Sequence, residues 1–544
     1  MNKYTRAAFL YASVVTIGGF VFGFDAAVIS GTLRYVSLEF ALTDIELGNV
    51  VSAPALGVLV ALLVTGYVCD VIGRRNTLIV IAALYTVSAI ASAFAPNYWS
   101  LVAARFLGGL AFTSLSMASM YIGEIAPAKA RGKLVSMNQV MIVIGLTAAY
   151  FSNYFLMEAV TANADWVVSW GIAENLWRWM LGVEILPALL WLVLLMKVPQ
   201  SPRWLVSKQR YDDAKMTLSK LLPPEEAATE FEAIKANVEQ DNTGPSNIKQ
   251  DIKALIKPKY RMAIAVGLIF AMVQPLTGVN PILFYAPMVF EQTGIGSSAA
   301  YAQTLIIGMV SLLFTLAAVY LVDKLGRRPL VNFGLAGSIV CLGLCVFAFN
   351  NATYKLNQDS LEKLALLHDP VVVEQLQPII NQEFVSDTHF KKTAAELIGH
   401  DTFRAIDHSL IQHAIDIDAT LVLIGIVGFI AAFHISIGPI MWVVFSEIVP
   451  TKIRGVAIPM FALLTSLISY FMQKYFPWLL NALGADQVFL SYALSALIGL
   501  ILLSRYLPET KGKSIEQVEQ WFEQKRKQKQ QQHLAQSKST QPLN

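Results

Sequence analysis

The sequence is short of charged residues. Only 15% of its 544 residues are Asp, Glu, Lys or Arg, whereas 55% are hydrophobic, and the mean hydropathy is +0.53. A soluble globular domain usually has about 25% charged residues. This shortage of charge excludes an ordinary soluble protein and indicates a chain whose solvent and partner is the lipid bilayer.

Cysteine is also scarce, and motifs of catalysis are missing. Cys69, Cys341 and Cys345 fall in or at the ends of apolar runs without the spacing of a metal site or a disulfide framework, so we interpret them as packing residues. The polar segments contain no nucleophile and base pattern, phosphate loop or zinc spacing. We therefore expect that the protein is not an enzyme and that it has no cofactor, metal site, ATP site or nucleic-acid partner.

Long apolar runs are what the sequence has in abundance. We count about twelve runs that are long enough, at 1.5 Å per residue, to cross a hydrocarbon core of roughly 30 Å as helices. Their approximate limits are 8–29, 48–69, 77–94, 99–122, 134–155, 179–198, 262–290, 302–322, 330–349, 421–445, 456–471 and 488–503. The first run contains Asp25 and is too long for a signal-peptide core, so it is predicted to be a retained helix.

The loops between these runs carry an uneven distribution of positive charge. Lys and Arg concentrate in alternate loops and in the C-terminal tail, whereas the short loops at 95–98, 291–301 and 481–487 have none. By the positive-inside rule, both termini are predicted to be cytoplasmic, in a multi-pass protein of the cell membrane. A bacterial inner membrane is the compartment that we expect.

The two halves of the chain repeat two motifs. GYVCDVIGRR at 66–75 returns as VYLVDKLGRR at 319–328, and EIAPAKARG at 124–132 returns as EIVPTKIRG at 447–455. A weaker echo links PQSPR at 199–203 with PETKG at 508–512. Such symmetry indicates a transporter built from two related six-helix units.

The repeat also defines the expected domains. These are an N-terminal six-helix bundle at 1–198, a cytoplasmic helical linker at 199–261, a C-terminal six-helix bundle at 262–507 and a cytoplasmic tail at 508–544. The spacing of the motifs locates a polar insertion at 351–418, on the outer side between helices nine and ten, with patterns of small amphipathic helices. We favour a tolerated surface insertion; a lid or a partner-binding cap is the alternative.

Together, these motifs resemble the sugar porter family of the major facilitator superfamily, and the resemblance spans nearly the whole chain. It implies an all-α membrane protein with twelve transmembrane helices in two six-helix bundles, and a monomer that takes up a sugar or sugar-like polyol by alternating access. It also implies that charged residues at the cytoplasmic helix ends form a latch of the outward-facing state. These residues are Asp70, Arg74, Arg75, Glu124, Arg131 and Glu184 in the first half, and Asp323, Arg327, Arg328, Glu447 and Arg454 in the second.

The alternative for the charges at helix ends is snorkelling and topology marking. Repetition of both spacing and identity favours the latch.

Asp25 lies deep in the first helix, where a carboxylate costs about 2.5 to 3.5 kcal/mol on insertion scales. Arg105 in the fourth helix is its candidate partner. The family resemblance implies that such a pair couples transport to protons, and relatives that are facilitative transporters have Asn in place of the Asp. Asp25 therefore favours proton symport, with a static Asp25–Arg105 pair as the alternative.

A sugar site needs amides that donate and accept hydrogen bonds and an aromatic face that covers the apolar C–H surface. The resemblance implies that Gln139, Gln274, Asn280 and Trp442 contact the substrate, and that Phe22, Phe284 and Tyr285 line the pocket. The alternative for each single amide is a hydrogen bond between helices. Pro275, Phe284, Ser311, Thr465 and Ser466 depart from the family pattern, so an inositol, a disaccharide or an uncommon hexose is favoured over xylose or glucose.

Three other functions remain open. A facilitative uniporter would not need Asp25, a nutrient sensor would be expected to have a longer tail than 508–544, and a drug-proton antiporter typically has a Gly-Pro-rich fifth helix, whereas 134–155 has no proline. We rank the antiporter last.

Overall fold

The computed structural model describes residues 3–126, 131–241, 253, 255–367 and 369–539. In this part of the chain, twelve helices are long and apolar enough to cross a membrane, which confirms the predicted number. We number them one to twelve in chain order. They span Arg6–Gly31, Asp44–Ile72, Arg74–Ala93, Tyr98–Ile125, Met137–Thr161, Ala173–Leu195, Arg261–Phe284, Ser297–Leu325, Arg327–Asn350, Ala419–Ile448, Lys452–Leu483 and Ala485–Tyr506.

The helices form two bundles of six. In the first half, helix one packs on helix five and helix two packs on helix four; in the second half, helix nine packs on helices ten and twelve. The most extensive contacts between the halves are those of helix two with helix eleven and of helix five with helix eight. We call the side that carries Arg74 and Arg327 the inner side and the opposite side the outer side.

Glycine allows some of these helices to approach very closely. A Cβ atom added at Gly23 of helix one would lie 1.8 Å from the carbonyl oxygen of Ile142 in helix five. Without a hydrophobic effect between helices in lipid, such close van der Waals packing drives their association.

Helix seven is broken where the sequence predicts a continuous run over 262–290. It consists of the segments Arg261–Leu276 and Val279–Phe284, followed by the short helix Ala286–Glu291. Gly278 joins the first two segments with φ +82°, a left-handed conformation that favours glycine. Gly278 and Pro281 both weaken a regular helix, and the break lies beside them.

Helix eleven is longer than predicted. It runs to Leu483, whereas the apolar run ends near residue 471. The difference arises because Gln473, Lys474 and Asn481 interrupt the apolar pattern without interrupting the helix. Hydropathy reports the lipid-facing length of a helix and misses a polar face that points into the protein.

The inserted segment at 351–418 contains the small helices that its patterns predict and, in addition, a sheet. The helices are Gln358–Leu367, Pro370–Glu374, Asp387–Ile398 and His400–Ala414. Strands β1 (Thr353–Lys355), β2 (Glu383–Phe384) and β3 (Ile415–Asp416) form an antiparallel sheet in the order β2-β1-β3. Strands of two or three residues are too short for an alternating pattern, so the sequence did not predict them.

Further helices lie outside the twelve long ones. Those of the linker and tail are Pro202–Ser207, Tyr211–Leu221, Pro224–Asp241 and Ile515–Ser539, and those next to outer helix ends are Leu33–Glu39 and Asp165–Ser169. The tail helix begins with a reciprocal cap in which the backbone N–H of Ser514 donates to Gln517 and that of Gln517 donates to the Ser514 hydroxyl.

Candidate functional site

A cavity of about 1310 Å³ lies between the two halves. Residues of both halves line it, and its wall continues along helices two and eight to Thr65, Asp323 and Arg327 at the inner side. The cavity is therefore open toward the inner side.

The outer side is closed by hydrogen bonds between the halves. Tyr150 donates to the carbonyl oxygen of Leu283 at 2.6 Å, and Tyr301 donates to that of Gly31 at 2.5 Å. At helix two, the side chain of Asn481 donates to both carboxylate oxygens of Asp44 at 3.0 and 3.1 Å. A chain that is open inside and closed outside is in an inward-open conformation.

Five of the predicted substrate residues line this cavity. They are Phe22, Gln139, Asn280, Phe284 and Trp442, which come from helices one, five, seven and ten. Trp442 is 46% exposed, because its ring faces the cavity. Amides and an aromatic face from both halves thus meet in one space.

Two predicted substrate residues do not line the cavity in this conformation. Tyr285 is fully buried and donates to the backbone carbonyl of Gln473 at 2.9 Å, because the segment after Gly278 packs against helix eleven at the closed outer side. Gln274 precedes the break in helix seven, and its amide oxygen is buried with no hydrogen-bond partner among the described residues.

Helix eleven adds polar residues to the cavity wall, of which only Ser466 was named from the sequence. Ser466, Ser469 and Gln473 line the cavity, and Asn280 donates to the hydroxyl of Ser469 at 3.0 Å. Gln473 is 5% exposed, and its side-chain amide makes no hydrogen bond in the described part of the chain. Their spacing of three and four residues, a polar stripe on an apolar helix, was the signal that could have identified them.

A buried ion cluster lies beside the cavity. Nη1 of Arg105 donates to the carboxylate of Asp25 and Nη2 donates to the Asp25 carbonyl at 3.3 Å, with both side chains 2% exposed. Arg105 also lines the cavity. The pair is placed in low-dielectric surroundings, where paired charges interact strongly.

Glu184 completes this cluster, which corrects the prediction that it joins the charges at the inner side. It is 2% exposed and interacts electrostatically with both Asp25 and Arg105. The reason for the correction is the distance of Glu184 from the inner end of helix six at Leu195, which is about three helical turns or about 16 Å.

The repeated motifs build two equivalent clusters at the inner side. In the first half, Arg74 pairs with Glu124 at 3.1 Å and with Asp70 at 3.4 Å. Glu124 also accepts a hydrogen bond from Ser201 of the weaker third motif.

In the second half, Arg327 pairs with Glu447 at 2.8 Å and with Asp323 at 3.3 Å. Glu447 accepts a hydrogen bond from Thr510 at 2.6 Å, as Glu124 does from Ser201. The third motif showed only a weak similarity between the halves in sequence. In the structure, its hydroxyl residue binds the equivalent glutamate in each half.

The other predicted latch residues bind backbone carbonyls. Arg75 donates to Met196, Arg328 to Ser504, and Arg454 to Ser446 and Val449. Residues 127–130 and the side chain of Arg131 lie outside the described part of the structure.

Comparisons with known proteins agree with this architecture. The family model described as sugar (and other) transporter matches residues 11–366 and 407–522. The D-xylose-proton symporter of Escherichia coli is 29% identical, over 98% of this chain and 99% of its own. The arabinose-proton symporter of Bacillus subtilis is 27% identical, over 94% of each chain.

A solved structure is similar in fold as well. The inward-open conformation of the xylose transporter of Escherichia coli has a TM-score of 0.69 at 28% identity and covers 94% of this chain and 99% of its own.

Proposed function

The chain belongs to the sugar transporter family, and we propose that it carries a sugar or sugar-like polyol across the cell membrane together with a proton. It is a multi-pass transporter and not an enzyme. The proposed coupling of substrate transport to protons rests on the buried cluster of Asp25, Arg105 and Glu184 beside the central cavity. A single chain supplies both walls of the cavity, so a monomer suffices.

The charges of this cluster provide a place for one exchangeable proton. Arg105 neutralises the carboxylate of Asp25, and a proton held by Glu184 brings the buried cluster to zero net charge, which low-dielectric surroundings favour. When a proton also neutralises Asp25, Arg105 is freed to interact with the cavity that it lines. Release of the proton from Asp25 restores the Asp25–Arg105 ion pair. Proton binding at Asp25 and the shape of the cavity are therefore linked.

The cavity suits a polyhydroxylated ligand. Gln139 and Asn280 offer donors and acceptors, and Trp442, Phe22 and Phe284 offer apolar surface. Gln473 adds a side-chain amide that has no hydrogen-bond partner among the residues that the structure describes. In our proposal, Tyr285 moves toward the substrate with the segment of helix seven after Gly278 as the outer side opens, and this movement also gives the substrate access to Gln274, which precedes the break.

The two inner clusters act as gates in this proposal. Each is complete within its own half in the inward-open conformation. Closure of the inner side would bring the clusters together and add bonds between the halves, which would stabilise the outward-facing state.

Reconstituted protein under an imposed proton gradient tests the function. Purified wild type and Asp25→Asn are compared on a panel of pentoses, hexoses, inositols and disaccharides. We expect accumulation of one substrate class by wild type, and exchange without accumulation by the variant. Gradient-driven accumulation by Asp25→Asn would contradict symport through Asp25, and wild-type uptake that survives collapse of the gradient would indicate a uniporter.

A further inference from the structure

The inserted segment at 351–418 folds around its own core on the outer side. The rings of Tyr354 and Phe390 stack with centroids 5.6 Å apart, and Leu364 is fully buried among its apolar residues. We call this unit the outer domain. Residues 367–406 lie outside the match to the family model, so much of the outer domain is additional to the general transport machinery.

The outer domain rests on the outer ends of the second half. A Cβ added at Gly294, in the loop between helices seven and eight, would meet Ile415 at 2.5 Å. A Cβ added at Gly484, between helices eleven and twelve, would approach Thr388 at 3.9 Å. The outer domain therefore contacts the loops that follow helices seven and eleven.

Lys391 of the outer domain is buried at this contact. Its side chain is 8% exposed, and its ammonium group donates to Asp387 at 2.8 Å, to Gln292 at 3.4 Å and to the amide oxygen of Asn481 at 3.4 Å. A buried lysine is costly unless it is paired and hydrogen-bonded. These partners fix the position of the ammonium group.

Asn481 connects Lys391 to the other half of the transporter through a second set of hydrogen bonds. Its amide oxygen accepts from Lys391, while its amide nitrogen donates to Asp44 at the start of helix two. One turn further along helix two, a Cβ added at Gly48 would lie 1.8 Å from the carbonyl oxygen of Lys474. The bond from Asn481 to Asp44 therefore lies at the closed seam between the halves.

The ammonium group of Lys391 lies at the amide oxygen of Asn481, and the carboxylate of Asp44 lies at its amide nitrogen, so both charges polarise this amide in the same direction. Hydrogen bonds in such a chain strengthen one another. The position of Lys391 also determines which way the amide faces, with its oxygen toward the ammonium group and its N–H groups toward Asp44. Opening of the outer side separates Asp44 from Asn481 and loses this bond.

We propose that Lys391 is a positioning residue of the transport cycle, which orients Asn481 toward Asp44 and thereby allows the outer domain to stabilise the closed outer seam. The outer domain is then a part of the gate. Its effect is to favour the inward-open state over the outward-open state, because only the former has the seam closed.

Labelling of a cysteine at the seam tests this role without any substrate, so its result is independent of the proposed sugar transport. Leu47, which is buried beside Gly48, is replaced by cysteine in a full-length protein whose three native cysteines are alanine. Intact cells are treated from outside with a membrane-impermeant maleimide. The labelling rate then reports opening of the outer side.

We expect Lys391→Met to raise the labelling rate about fivefold, which corresponds to about 1 kcal/mol in the opening equilibrium. Lys391→Arg keeps the cation and should label like the parent protein. The adjacent Lys392 is exposed and provides the matched control Lys392→Met, which should also have no effect. Asn481→Ala should raise the rate as Lys391→Met does, and the double variant should raise it no further.

Equal rates for Lys391→Met and the parent protein would overturn the proposal, as would additive effects of Lys391→Met and Asn481→Ala. A second reporter, cysteine at Leu364 in the core of the outer domain, separates positioning from unfolding. Faster labelling of this reporter in the Lys391→Met protein would show that the domain unfolds and would also overturn the proposal. If Lys391→Met fails to reach the membrane, Lys391→Gln, which retains a hydrogen-bond donor without the charge, replaces it under the same criteria.

Discussion

The carboxylate of Glu509 accepts a hydrogen bond from the backbone N–H of Arg327 at 3.1 Å, and its other oxygen accepts one from the next residue, Arg328. Gln200 takes the equivalent place in the first half, where its side-chain oxygen accepts from the backbone N–H of Arg75 at 2.9 Å. Both acceptors cap a helix from a distant segment of the chain. Glu509, the charged acceptor, lies at the start of helix nine, where the helix dipole favours an anion.

Loss of this cap should destabilise the second half. We expect Glu509→Ala to lower the free energy of unfolding by about 1 kcal/mol, the usual cost of a lost N-cap, and Glu509→Gln to lower it by less because one acceptor remains. Thermal unfolding of the purified protein in detergent measures both. Glu396→Gln, at an exposed position of the outer domain, is the control, and an equal loss there would contradict the role of the cap.

Gln473 should contribute to substrate affinity. If its amide binds a substrate hydroxyl, Gln473→Leu removes one hydrogen bond and raises KM about tenfold, equivalent to about 1.4 kcal/mol, with little change in kcat. Exchange assays in proteoliposomes measure both constants. Gln487→Leu, at an exposed position in the first turn of helix twelve, should leave them unchanged, and an unaltered KM in Gln473→Leu would remove Gln473 from the site.

Glu291 should make stability depend on pH. Burial raises the pKa of Glu291 above its usual 4.5, and Arg34, 3.8 Å away, opposes that shift. Between 4.5 and the raised pKa, the folded protein holds a proton that the unfolded chain has released, so stability falls as pH rises through this window.

The variant Glu291→Gln has no titrating group at this position. Its melting temperature should therefore increase relative to that of wild type as the pH rises from 4.5. Melting curves of both proteins at successive pH values measure the difference. A constant difference across the window would show that Glu291 does not titrate there.

Gly278 should be intolerant of a side chain. Its φ of +82° is unfavourable for alanine, and a Cβ would lie 2.2 Å from the ring of Tyr492. We expect Gly278→Ala to lose at least 1 kcal/mol of stability and most of its transport rate. The matched variant Gly343→Ala, at a position with open space around the added Cβ, should melt and transport like wild type, and similar behaviour of both variants would contradict this prediction.

The sequence allowed much of the fold to be predicted. Helix number, the two halves and the insertion follow from hydropathy and repeated motifs, because the bilayer requires long apolar helices and duplication leaves recognisable copies. The residues at 200, 201, 509 and 510 were missed as capping and gating partners, because their bonds join segments that are more than sixty residues apart.

By itself, the sequence determined that this chain spans a membrane, that its halves are related, and that Asp25, Arg105 and several amides are unusual in their helices. Only the tertiary structure decided that Glu184 lies with Asp25 and Arg105, that Gln473 faces the cavity, and that Lys391 contacts the outer seam. The physical reason is that hydropathy and motif spacing act along the chain, whereas the partner of a buried charge or amide is set by which helix faces pack together.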